Sequence, residues 1–133
     1  MQRVTAMLAA LLVAACSMTG LGPADVERSR WDLVRLYGAP PLALAPITLV
    51  FEEGQVLGHA GVNQYFAGFT LEGSSFDVDS IGTTRRSGPP DITAQENAFL
   101  KALQSATSLV LDGEELALLG PDGFELARFR PGV

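Results

Sequence analysis

Apolar and polar residues alternate along most of this chain, and the alternation predicts a protein of short strands. Residues 31–37, Trp-Asp-Leu-Val-Arg-Leu-Tyr, carry the period-two pattern of a half-buried strand. Gly38, Pro40 and Pro41 end it, because proline cannot donate to a ladder. Residues 47–51 make a second strand, and Glu52, Glu53, Gly54 and Gln55 turn into a third over 56–62. Residues 65–71 make a fourth, closed by Glu72 and Gly73, and 75–81 a fifth, with Phe76 and Val78 set against Asp77 and Asp79. Three more strands follow at 108–111, 115–119 and 124–129. Asp112-Gly113 and Asp122-Gly123 join them, and Asp-Gly between apolar runs is a strong hairpin signal.

One stretch breaks this period. Thr93-Ala-Gln-Glu96 matches a capping box, in which the Glu96 carboxylate reaches back to the Thr93 backbone N–H. Phe99, Leu100, Leu103 and Ala106 then recur at helical spacing on one face. Pro89 and Pro90 read as barring an earlier start, so the helix is predicted over about residues 94–106, covering the open side of the sheet. The expected fold class is mainly β (α+β): a strongly curved antiparallel sheet or partly closed small barrel, with one α-helix packed across it.

The start of the chain changes the picture. An uncharged run over residues 4–15 follows Arg3 and ends in Val13-Ala14-Ala15-Cys16. At about 12 residues the run fits a signal-peptide core and falls short of a bilayer span. The tetrapeptide resembles the lipobox of bacterial lipoproteins. The resemblance implies removal of residues 1–15 and acylation of Cys16, which is the single cysteine. A plain secretory signal cleaved after Ala15, or a buried helix of the fold, are the other readings of the run. Ser17 is not the acidic residue of inner-membrane retention, which favours the outer membrane. Residues 16–30 read as a lipidated tether broken by Gly20, Gly22 and Pro23, and residues 31–133 as the domain.

Charge narrows the partners. The formal net charge is −6 over 133 residues, and loss of Arg3 with the leader makes the remainder more negative. Nucleic acid is not an expected partner, because phosphate binding needs a basic face. With Cys16 acylated no thiol remains, so no disulfide is expected and stability must come from one hydrophobic core. A monomer is expected.

These elements, in this order, resemble the META domain, also called the HslJ-like family. The strand opening at Trp31, residues 47–51 followed by Gly54 and Gly58, and the closing hairpin through Leu116, Leu118 and Phe129 all match. Gly61-Val62-Asn63-Gln64-Tyr65 resembles the family's Gly-Cys-Asn-x-Tyr, and Glu96, Phe99 and Leu103 its Glu-x-x-Phe-x-x-x-Leu helix. Two departures stand out. Val62 occupies one family cysteine position, and the stretch Arg86-Ser87-Gly88 the other. The resemblance implies that these positions face each other, a disulfide pair elsewhere and an apolar contact here. Family members are often heat-responsive or envelope-associated, and no catalytic activity transfers.

Candidate chemistry is sparse. His59 is the single histidine, placed on a strand, and no Gly-x-Ser-x-Gly elbow accompanies it. One histidine and an acylated cysteine cannot supply a zinc set, so no metal site is expected. Asp77 and Asp79 share a strand face and read as solvated; a weak calcium site or an acid pair is the functional alternative. Asn63 sits at a strand junction, where its amide would satisfy buried backbone groups or contact a ligand. Tyr65 belongs to the same motif. Arg85 and Arg86 form the compact basic spot of an acidic chain, in a loop suited to an anionic partner such as a lipid head group or an acidic protein. The expectation is a non-enzymatic, periplasm-facing lipoprotein without cofactor, held to the membrane through Cys16. It would bind an envelope protein or small ligand and serve stress tolerance. The alternatives are a lipocalin-like carrier of an apolar ligand, which needs a cavity, and a hydrolase built on His59 or the aspartates.

Overall fold

The computed structural model describes residues 20–133. The leader, Cys16 and residues 17–19 lie outside the described residues. A short helix, α1 (Pro23–Val26), precedes five strands: β1 (Arg30–Leu36), β2 (Thr48–Glu52), β3 (Gln55–His59), β4 (Gln64–Glu72) and β5 (Ser75–Val78). A two-residue strand β6 (Gly82–Thr83), helix α2 (Pro90–Ser105), and strands β7 (Ser108–Asp112), β8 (Glu115–Leu119) and β9 (Glu125–Pro131) complete the chain.

The described strands form one antiparallel sheet in the order β3-β2-β1-β9-β8-β7-β5-β4-β6, and β3 also pairs with β4. The sheet therefore returns on itself as a ring. The ring is weakest between β5 and β7, where Ser75 opposite Ser108 is the single paired position. Helix α2 packs across this ring, as the fold-class expectation has it.

Strand alternation dictates what fills the ring. Along β4, Tyr65, Ala67, Phe69 and Leu71 are buried, while Gln64, Phe66, Thr70 and Glu72 are exposed. Adjacent Tyr65 and Phe66 thus point to opposite faces. Phe51, Phe69 and Phe76 meet edge to face or tilted, with centroids 5.3 to 6.5 Å apart. Phe99 of α2 inserts between Tyr65 at 5.3 Å and Phe129 at 6.4 Å. Trp31 is buried with them. Such pairs add roughly 0.5–1.5 kcal/mol each beyond the area they bury. The interior of the ring is occupied by these side chains.

Several expectations are corrected. Helix α2 begins at Pro90, not near residue 94. Proline is tolerated at the first helical position, since its missing N–H has no partner within the helix there. The Thr93–Glu96 capping box does not form: the Thr93 N–H donates to the Pro89 carbonyl at 2.9 Å. Residues 20–29 are not free tether. Leu21 and Val26 join the core, and the Arg28 N–H donates to the Phe51 carbonyl at 2.8 Å. The packed domain therefore starts before Trp31. Strand β3 also stops at His59 rather than running to residue 62, and β6 has no counterpart in the period-two pattern.

Candidate functional site

The connection from β3 to β4 meets the start of α2, and the meeting point is polar. Asn63 and Glu96 are the buried polar and charged residues of the described core, 7% and 5% exposed. Glu96 lies on the helix face that also carries Phe99 and Leu103, so its carboxylate is driven inward with them. There it accepts hydrogen bonds in place of water. Oε1 takes the backbone N–H groups of Val62 at 3.1 Å and Asn63 at 2.6 Å. Oε2 takes the Asn63 Nδ2 amide at 2.8 Å. A buried carboxylate is tolerated when donors replace its hydration, and hydrogen bonds to a charged acceptor are the stronger kind.

Asn63 passes this constraint to the loop before α2. Its Oδ1 accepts from the Arg86 backbone N–H at 2.7 Å and from Thr84 Oγ1 at 2.9 Å. Its Nδ2 also donates to the Arg86 carbonyl at 3.2 Å. Both donor and both acceptor positions of the amide are used. Asn63 is thus a bracket between helix and loop, and the structure favours the structural reading of this residue over direct ligand contact.

The held loop presents Arg85 and Arg86, both exposed. An open groove of about 490 Å³ runs beside it, lined by Arg86, Ser87, Gly88, Pro90, Thr93, Ala94 and Asn97. A smaller recess of about 120 Å³ is lined by Arg86, Thr84, Gln64, Val62 and His59. Val62 and Gly88 do face each other. A Cβ built on Gly88 would stand 3.4 Å from the Val62 Cβ and only 2.5 Å from its Cγ2. The separation is near that of bridged cysteines, and the valine side chain fills the space a second side chain would need. A valine at one position thus requires a glycine at the other.

The remaining candidates fall elsewhere. Tyr65 is not at the surface. Its hydroxyl donates to the Thr48 carbonyl at 2.7 Å inside the core, and burial pushes its pKa upward. His59 is exposed at the end of β3, and its Nδ1 accepts the Gly61 N–H at 3.2 Å. Asp77 and Asp79 are solvated. Cys16 lies outside the described residues. The structure brings Asn63 and Arg86 together, leaves Arg85 beside them and separates Tyr65. Sequence reasoning missed Glu96 as the centre of this site. Its signal was present: a carboxylate three residues before Phe99 and seven before Leu103 sits on the apolar stripe.

Comparison with known proteins accords with this fold. The family model of the META domain matches residues 24–132. A Burkholderia xenovorans protein solved by NMR superposes with a TM-score of 0.69 at 21% identity, covering 84% of this chain and 86% of that one. A second NMR structure gives 0.67 at 16% identity, covering 83% and 94%. Among curated proteins none matches.

Proposed function

Because this chain belongs to the META domain family, we propose that it is a non-enzymatic binding protein of the bacterial envelope. In this reading residues 1–15 are a leader, acylated Cys16 holds the protein to the membrane, with the outer membrane favoured, and the domain faces the periplasm. The domain acts there as a monomer, without cofactor, by meeting an anionic partner at the Arg85–Arg86 loop, in the service of envelope stress tolerance. One observation supports this above others. The buried Asn63–Glu96 pair spends its hydrogen bonds on holding the Arg86 backbone and the chain at Val62, which leaves both arginine side chains exposed in a fixed frame. Fixing a loop in advance removes part of the ordering cost of binding.

The test is photo-crosslinking from Ser87 in intact cells under heat, detergent and antibiotic stress. A discrete product that disappears in Arg85→Glu/Arg86→Glu supports the reading. No product and no envelope phenotype of a deletion under these stresses would reject it. Cys16→Ala should move the protein from the membrane to the soluble fraction.

A further inference from the structure

The chain is fastened to the sheet very soon after Cys16. Gly20 lies against the β4–β5 turn so closely that a Cβ built on it would stand 2.2 Å from the Gly73 Cα. Leu21 is buried, its N–H donates to Ser74 Oγ at 3.1 Å, and its carbonyl accepts the Ser74 N–H at 3.2 Å. The five residues from Cys16 to Leu21 reach at most about 18 Å when fully extended.

The groove lies at the opposite end. β4 runs nine residues from Gln64, next to the Asn63–Glu96 bracket, to Glu72 at the fastened turn. At about 3.3 Å per residue, those ends stand roughly 25 Å apart. Helix α2 is a second ruler. Its first turn borders the groove, and Thr107, just past its last turn, accepts from the Phe76 N–H beside the fastened turn. Its rise of about 1.5 Å per residue gives a similar length over 16 residues.

Resting on the lipoprotein reading above, we infer that the domain stands on the bilayer by its Gly20–Ser74 end, with the Arg86 groove opening away from the membrane. The groove's occupant is then an acidic protein surface in the aqueous compartment, not the head groups of the anchoring bilayer. Charge works in the same direction. A chain of net charge −6 is repelled when laid along anionic lipid, and Arg85 and Arg86 at the far tip are adjacent exposed cations open to an anion from the aqueous side.

The test uses the full chain made in a Gram-negative host and placed in phosphatidylethanolamine–phosphatidylglycerol vesicles with nitroxide on the head groups. Single fluorophores are attached at Glu72→Cys and Asp91→Cys. Strong quenching at the first and loss of quenching at the second is the expected result. Equal quenching at both, above all if it vanishes in pure phosphatidylcholine, means the groove takes head groups and overturns the orientation. Twenty Gly/Ser residues inserted between Ser17 and Met18 should erase the difference, and a difference that survives overturns the role of the short tether. Polyglutamate should bind the vesicle-held protein and lose binding in Arg85→Ala/Arg86→Ala; failure to bind the parent protein overturns the acidic occupant. Intact mass settles the premise separately: a chain without acyl groups sinks the lipoprotein reading itself, and the orientation with it.

Discussion

Two polar clusters of this domain do opposite work. At the Asn63–Glu96 bracket a single carboxylate is buried and faced by three N–H donors. On the β7–β8–β9 surface Arg128 meets Glu125 at 2.6 Å, Asp112 at 3.0 Å and Glu115 at 3.3 Å, and Arg35 stands 3.7 Å from Glu125. The second cluster looks the stronger because it contains formal ion pairs. It is the weaker one, since Asp112, Glu115 and Arg35 are water-exposed and solvent screens such pairs. The bracket cannot borrow water, so each of its bonds must be made inside. Polar residues in the buried site fix one loop geometry, whereas those on the surface mainly decorate a sheet that hydrophobic packing already holds.

The largest break in this comparison should come from Glu96→Ala. It leaves the Val62 and Asn63 N–H groups without an acceptor and the Asn63 amide with the Arg86 carbonyl alone, at a cost of about 3 kcal/mol or more. Chemical denaturation should read that loss at low and high salt alike.

Asn63→Asp comes next. It sets a second carboxylate against Glu96 and should cost about 2–3 kcal/mol at neutral pH, because like charges in one buried site oppose ionisation. Such a pair has one folded-state pKa raised above its unfolded value. The variant should therefore regain stability as pH falls through that raised pKa and lose it as pH rises. Urea midpoints from mildly acidic to neutral pH, compared with the parent, check the sign.

Val62→Cys/Gly88→Cys sharpens the comparison from the other side. The two positions face each other within bridging distance, so a disulfide should form on oxidation and stabilise by about 2–3 kcal/mol. Gly88→Ala alone should destabilise, through its clash with Val62. Thermal melts with and without reductant separate the two effects.

Arg128→Ala should show the smallest effect, about 1 kcal/mol or less, and most of it should vanish in high salt. The Glu125 hydrogen bond, ahead of those from Asp112 and Glu115, raises the Arg128 pKa above its already high ordinary value. Stability from a raised cationic group is fully present below its unfolded pKa, so this residue adds no pH dependence in the working range. Salt, not pH, is the variable to change.

Much of the fold was legible because strands announce themselves locally. Alternation along residues 65–71 set Tyr65 and Phe66 on opposite faces, and the Glu53–Gly54 turn took the positive φ values a tight hairpin needs, 48° and 77°. The failures share one cause, which is tertiary context overriding a local pattern. Thr93 and Glu96 have capping-box spacing, yet the helix had already begun at Pro90, and Glu96 was needed as an acceptor for another segment. Residues 20–29 look polar and broken, but Leu21 and Val26 find apolar partners only once the sheet exists. At the site, Asn63 was visible as a polar residue at a junction. That Asn63 holds Arg86 by its backbone, not its guanidinium, is invisible to any reading of side-chain types.

The most direct measurement is native-state hydrogen exchange of the Arg86 amide in the parent protein and in Glu96→Gln. Glutamine keeps an oxygen for the Val62 and Asn63 N–H groups but turns an amide toward Asn63 Nδ2, so it strikes the bracket and spares the core. The account predicts a protected Arg86 amide in the parent and exchange accelerated about tenfold or more in the variant, with the Leu118 amide of β8 unchanged. An Arg86 amide that exchanges freely in the parent, or equal rates in the two proteins, would contradict it.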